Sequence, residues 1–189
     1  MSSAVWYFSR ATGLVSLVLF TAVVVLGALG AGRFATREWP RFTVAAVHRN
    51  LALTSLVFLV AHIASAILDG YVSLSWLDVV LPFGADYQPF WVGLGAVAID
   101  LLLAIVVTSL VRTRIPAKVW KAVHWLAYLC WPVALVHGIG MAESDAAHGW
   151  LIALDVLCVL AVLGGIAFRA GTRHADPETR KLSPLGGTR

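Results

Sequence analysis

The sequence predicts an all-α membrane protein of five transmembrane helices plus a short interfacial helix, and three observations predict it. Apolar residues make up 60% of the chain and charged residues only 13%, whereas a soluble domain keeps roughly a quarter of its residues charged. Mean hydropathy is +0.85. Five separate runs also reach the length of about 20 apolar residues that a helix needs to cross hydrocarbon. With 189 residues, the chain reads as a single domain lying mostly inside the bilayer, residues 1–170, followed by a polar cytoplasmic tail, residues 171–189.

The spans are expected near Ala11–Ala31, Val44–Leu68, Phe90–Val111, Ala117–Ile139 and Trp150–Phe168. The first has an apolar run longer than the ~7–15 residues of a signal peptide. Its basic residues also follow the run, at Arg33, Arg37 and Arg41, so it reads as a retained span. Between the second and third spans, Leu74–Leu81 is apolar but too short to cross, and is expected as a helix in the interface. From Gly171 the chain turns polar, with Pro177, Pro184 and Gly186-Gly187, and reads as a mobile tail.

The formal charge of +4 does not point to nucleic acid, because the basic residues lie in short loops between apolar runs. If the amino terminus faces outward, every lysine and arginine except Arg10 falls at the inner side. Asp69, Asp78, Asp86, Glu143 and Asp145 then lie outside; the reverse orientation would put thirteen basic residues there. The expected location is therefore the cell membrane, with the carboxyl terminus cytoplasmic. Cys130 and Cys158 both sit in apolar runs and exclude a disulfide framework.

Four of the six histidines fall within spans, as two pairs: His48 and His62 in the second, His124 and His137 in the fourth. These spans run in the same direction, and the pairs are separated by 14 and 13 residues, about 20 Å along a helix. Two histidine pairs are thus expected at two depths, each able to bind one haem iron from both sides through neutral imidazole. A single intramembrane histidine can simply hydrogen-bond a neighbouring helix. Four on two levels are hard to obtain by packing alone, since polar groups in the bilayer are costly. Another metal would want carboxylate or thiolate company, and only Asp100 and the cysteines lie at those depths. One difficulty is angular: 14 residues return within ~40° of the same helix face, but 13 leave His124 and His137 about 140° apart. Pro132 lies between them and is expected to kink the helix and re-aim His137.

Val47–His62 (VHRNLALTSLVFLVAH), Val119–Gly138 (VWKAVHWLAYLCWPVALVHG) and Ser9–Phe20 (SRATGLVSLVLF) together resemble the ferric reductase-like transmembrane domain. That family includes NADPH oxidases, ferric reductases and the haem-binding subunit of the bacterial periplasmic methionine sulfoxide reductase system. The resemblance runs from Ser9 to about Phe168 and includes the Trp120, His124, Tyr128 spacing. It implies two haem b groups in a di-haem, four-helix-type core, with His48 and His124 on the inner iron and His62 and His137 on the outer one. Oxidase and reductase members continue into a flavin and nicotinamide domain. The segment after Gly171 is too short for even one ~30-residue βαβ unit, and Gly27, Gly30 and Gly32 end a membrane span, so they read as helix-packing or loop glycines. The chain is therefore most similar to the stand-alone haem subunits, with flavin supplied by a partner.

Propionate carboxylates favour basic partners. Arg41, Arg49 and Lys121 lie near the inner level and Arg10 near the outer, although the inner cations can equally set topology and bind lipid headgroups. Asp100 lies mid-span, where an unpaired carboxylate is expensive. The expected function is a transmembrane cytochrome b with no catalytic residue of its own. It would pass electrons from a cytoplasmic flavin reductase or reduced flavin to an extracytoplasmic redox protein. Two alternatives are direct reduction of ferric iron or oxygen at the outer haem, and a membrane transporter or haem-delivery protein.

Overall fold

The computed structural model describes residues 3–69, 74–142 and 149–181, with side chains described as far as Thr172. Glu143, Asp145, His148 and residues 182–189 lie outside the described residues, as do the side chains of Arg173, His174, Arg180 and Lys181. The described chain is helical: α1 (Ser3–Ala31), α2 (Arg41–Leu68), α3 (Pro89–Leu110), α4 (Ala117–His124), α5 (Ala127–Met141) and α6 (Gly149–Lys181). In hydrocarbon every backbone N–H and C=O must be satisfied within the segment, and helices achieve this. Five spans are long and apolar enough to cross a membrane, α4 and α5 together forming the fourth at Ala117–Met141. The chain is an integral membrane protein.

α1 is the central element. It packs along α2 on one side and against α5 and α6 on the other, while α3 packs on α4 and α5. Val24 of α1 meets Trp131 and Leu135 of α5 and Cys158 and Val162 of α6 in one buried cluster; Ala98 and Ile105 of α3 enclose Cys130 in another. Polar side chains pin these contacts. Trp131 Nε1 donates to Thr21 Oγ1 (2.9 Å), Ser16 Oγ to the Ser55 carbonyl (3.3 Å), and Cys130 Sγ to the Ala98 carbonyl (3.3 Å). No extended packing joins α2 to α4 or α5.

Three features differ from expectation. The first helix starts at Ser3, a full two turns before the run of apolar residues. The last helix continues through residues 171–181, part of the segment expected as a polar, mobile tail. The stretch expected as an interfacial helix, Leu74–Leu81, is instead a run of turns. Ser75 donates its backbone N–H (2.7 Å) and hydroxyl (2.8 Å) to Asp78 Oδ2, starting a helical turn that Pro82 cuts short. Those same two bonds, the backbone one first, hold the Asp78 carboxyl below its ordinary range. Trp76, Leu77, Val80, Leu81 and Phe83 are exposed there, an apolar surface consistent with contact at a membrane interface.

Candidate metal centre

Two of the four span histidines, His48 and His124, face each other directly. The ring centres of His48 on α2 and His124 at the end of α4 are 6.3 Å apart, with planes at 66°. An imidazole nitrogen binds a first-row metal ion at ~2.0–2.1 Å, and the ring centre lies ~1.1 Å behind that nitrogen, so two imidazoles on opposite sides of one metal have centres about 6.3 Å apart. The observed spacing fits that geometry. His62 and His137, the expected second pair, sit on α2 and α5. Among the described residues no three His, Cys, Asp or Glu side chains gather as a metal cluster.

The second nitrogen of each imidazole decides how it is presented. His48 Nδ1 donates to the Val23 carbonyl (2.9 Å), His62 Nδ1 to the Ser9 carbonyl (2.8 Å) and His137 Nδ1 to the Trp91 carbonyl (2.7 Å). A carbonyl can only accept, so each Nδ1 carries the proton and Nε2 keeps the lone pair that could bind a metal. His124 is held differently. Its Nδ1 is buried with no hydrogen-bond partner among the described residues, and its ring stacks on Trp120 (5.0 Å, 24°). Trp120 is in turn tied to Ser109 Oγ (3.4 Å) and lies under the Arg112 guanidinium (5.2 Å).

Part of the angular offset in the fourth span is taken up before Pro132 is reached. Helix α5 runs from Ala127 to Met141 straight through Pro132. The break falls at Trp125-Leu126, directly after His124. There Leu126 N bonds to Val123 O, Tyr128 N to Trp125 O and Leu129 N to Leu126 O, all three residues back. Such 3₁₀ steps advance ~120° per residue instead of ~100°, so three of them rotate the rest of the span by about 60° and bring His137 towards the face of His124. Pro132→Ala is therefore expected to leave the ligand geometry intact. Unchanged spectroscopic metal or haem content would agree; selective loss of one centre would return the role to Pro132.

The candidate cations divide. Arg10 gives its guanidinium to the end of α5, donating to the carbonyls of Met141 (2.8 Å) and Ala142 (2.7 Å) and lying 4.5 Å over the Trp6 ring. A cation at helix-terminal carbonyls is favourable, and this one ties α1 to α5 just beyond His137. Arg41, Arg49 and Lys121 are exposed. Asp100 is also exposed, on α3. Of the glycines behind the histidines, sequence reasoning read Gly27 as a helix-packing or loop glycine and passed over Gly13 and Gly95. The nearest atoms to a Cβ added at Gly13, Gly27 or Gly95 belong to His62, His48 and His137 respectively.

The family model described as "Ferric reductase like transmembrane component" matches residues 12–135, a stretch that contains His48, His62 and His124 and ends two residues before His137. Comparison with curated proteins and with solved structures finds no match.

Proposed function

The chain belongs to the ferric reductase like transmembrane component family, and on that premise we propose that it carries single electrons across a bilayer through two haem b groups, held by His48 with His124 and by His62 with His137. Domains of this family generally bind haem. The observation that carries the reading is the 6.3 Å spacing of the His48 and His124 rings, together with the Nδ1 bonds that leave Nε2 of three histidines as the ligand atom. When bound, haem would supply a one-electron iron couple at each level.

The protein's own part is orientation and spacing. Three backbone carbonyls fix the tautomer of three imidazoles and strengthen them as donors. The 14 residues between His48 and His62 set the levels about 20 Å apart along α2. Arg10 anchors the end of α5 beyond His137, where its charge can also meet a propionate. The exposed Arg41, Arg49 and Lys121 are the corresponding cations at the other level. By the charge rule the amino terminus faces outward and the His48–His124 level lies near the cytoplasm. The donor is then a cytoplasmic flavin reductase or reduced flavin. The acceptor is an extracytoplasmic redox protein, as in a periplasmic methionine sulfoxide reductase system.

The test is stoichiometric. Purified full-length protein is expected to hold two haem b per chain, both low-spin and bis-histidine in the reduced-minus-oxidised spectrum. In proteoliposomes it should pass electrons from a reductant on one side to an acceptor trapped on the other. One haem in fully loaded protein, or none, would overturn the reading, and a transporter without haem would give no difference spectrum at all.

A further inference from the structure

Three of the four histidines dock on a carbonyl of a neighbouring helix, and in each case the residue four positions after that carbonyl is a glycine. The pairs are Ser9 with Gly13, Val23 with Gly27, and Trp91 with Gly95. In an α-helix the carbonyl of residue i points at the N–H of residue i+4. The side chain of residue i+4 leans back towards the preceding turn and stands beside that carbonyl. A Cβ at Gly13 would lie 2.8 Å from His62 Nδ1, and one at Gly95 would lie 2.7 Å from His137 Cε1 and 2.9 Å from its Nδ1. At Gly27 the approach to His48 Cε1 is 3.3 Å. Resting on the ligand assignment above, we infer that Gly13, Gly27 and Gly95 are positioning residues for the haem ligands. Each bares the carbonyl one turn earlier, so that an imidazole can place its Nδ1–H there and turn Nε2 towards the metal.

Small residues in membrane helices more commonly serve close backbone packing. Gly165 does so here, where an added Cβ would meet Val25 Cα and the Ala28 Cβ at 3.5 Å. The three seat glycines differ, because the nearest atoms in every case are imidazole atoms and not backbone. Their spacing repeats the ligand spacing: Gly13 and Gly27 on α1 are 14 residues apart, as are His48 and His62 on the antiparallel α2. The fourth histidine supplies the contrast. Thirteen residues beyond Trp91 and Gly95, matching the step from His137 back to His124, stand Ala104 and Thr108. Thr108 is not a glycine, and its own hydroxyl donates to the Ala104 carbonyl at 2.7 Å; His124 Nδ1 is the one left without a partner among the described residues.

The test exploits the fact that the seats group by metal level and not by helix. Full-length Gly13→Ala, Gly95→Ala and Gly27→Ala proteins are compared with Gly138→Ala and Gly164→Ala, where an added Cβ meets nothing within 4 Å. Haem per chain and the midpoint potential of each component are read, with thermal unfolding as the check on fold. Gly13→Ala on α1 and Gly95→Ala on α3 should weaken the same haem, the one lost in His62→Ala, by the ~10–100-fold that loss of an outer hydrogen bond costs in metal affinity. Gly27→Ala, on the same helix as Gly13, should disturb only the other haem, and more mildly because its contact is longer. The inference fails if the two α1 variants act on the same haem, or if all three match the controls. A substitution-free measurement stands beside these. In reduced protein with isotope-labelled histidine, the Nδ1–H protons of His48, His62 and His137 should exchange slowly with solvent as hydrogen-bonded donors; fast exchange of all three would overturn the seats. If wild-type protein holds no haem, the functional reading falls, while the same exchange experiment on the apoprotein still decides the seats.

Discussion

Replacing His62 with alanine is expected to remove one of the two haems and spare the other, and replacing His48 should remove the complementary one. Each substitution deletes a ligand atom outright. The loss should therefore exceed the ~10–100-fold that removing only an outer hydrogen-bond partner costs in metal affinity. Because His48 faces His124 at 6.3 Å, His124→Ala should abolish the same spectral component as His48→Ala. His137→Ala should likewise copy His62→Ala, as the expected second pair. All four variants should stop electron passage across proteoliposomes, since either missing level interrupts a path that spans about 20 Å of helix. Haem-to-protein ratios near one, with two distinct residual midpoint potentials among the four variants, are the expected readout. If His48→Ala and His62→Ala leave the same component behind, the two-level arrangement is wrong.

Much of this arrangement is legible in the sequence because it depends on quantities a sequence carries directly. Hydropathy over about 20 residues defines the spans, and four of the five expected spans begin within about three residues of their helices. The histidine levels follow from the 14- and 13-residue separations and a fixed rise per residue. What escapes is local backbone geometry with no residue to mark it. The turn after His124 is made by Trp125 and Leu126 through bonds three residues back, and neither residue is a glycine or proline. Pro132 draws attention instead, yet membrane helices accommodate proline by small local adjustments, and α5 passes through it. The glycine seats are half visible. Gly13 and Gly27 repeat the 14-residue step of His62 and His48, but that coincidence means something only once α1 and α2 are known to pack antiparallel with Val23 opposite His48 and Ser9 opposite His62. The turn at Ser75–Asp78 shows the opposite case, where a capping pattern starts a helix that the following proline does not allow to grow.

Neutralising Arg114, Lys118 and Lys121 together is expected to slow reduction of the proposed His48–His124 haem by the proposed cytoplasmic donor about tenfold at low salt, the lower end of what electrostatic steering contributes to encounter rates. All three side chains are exposed, on the α3–α4 connection and on α4 itself. Lys118 and Lys121 flank Trp120 in the sequence of α4, and Trp120 stacks directly on His124. A donor flavoprotein with an acidic face, or an anionic reduced flavin, would be drawn to this surface and delivered beside that ligand. Attraction between exposed charges falls off over a Debye length of ~8–10 Å at physiological salt. The wild-type rate should therefore fall steeply as salt rises, whereas that of the triple variant should change little and meet it at high salt. Lys118 and Lys121 lie on α4, about two turns and one turn before His124 respectively, so haem content and both midpoint potentials are measured alongside to show that the ligand itself is undisturbed. Stopped-flow reduction with NADPH and a flavin reductase in inside-out vesicles separates the steps: the first electron-accepting phase should slow, and oxidation from the opposite side should keep its wild-type rate. Equal rates and equal salt dependence in the variant would remove this surface from the donor's path. Reduction that proceeds only from the opposite side, for instance from a quinol, would reverse the proposed direction.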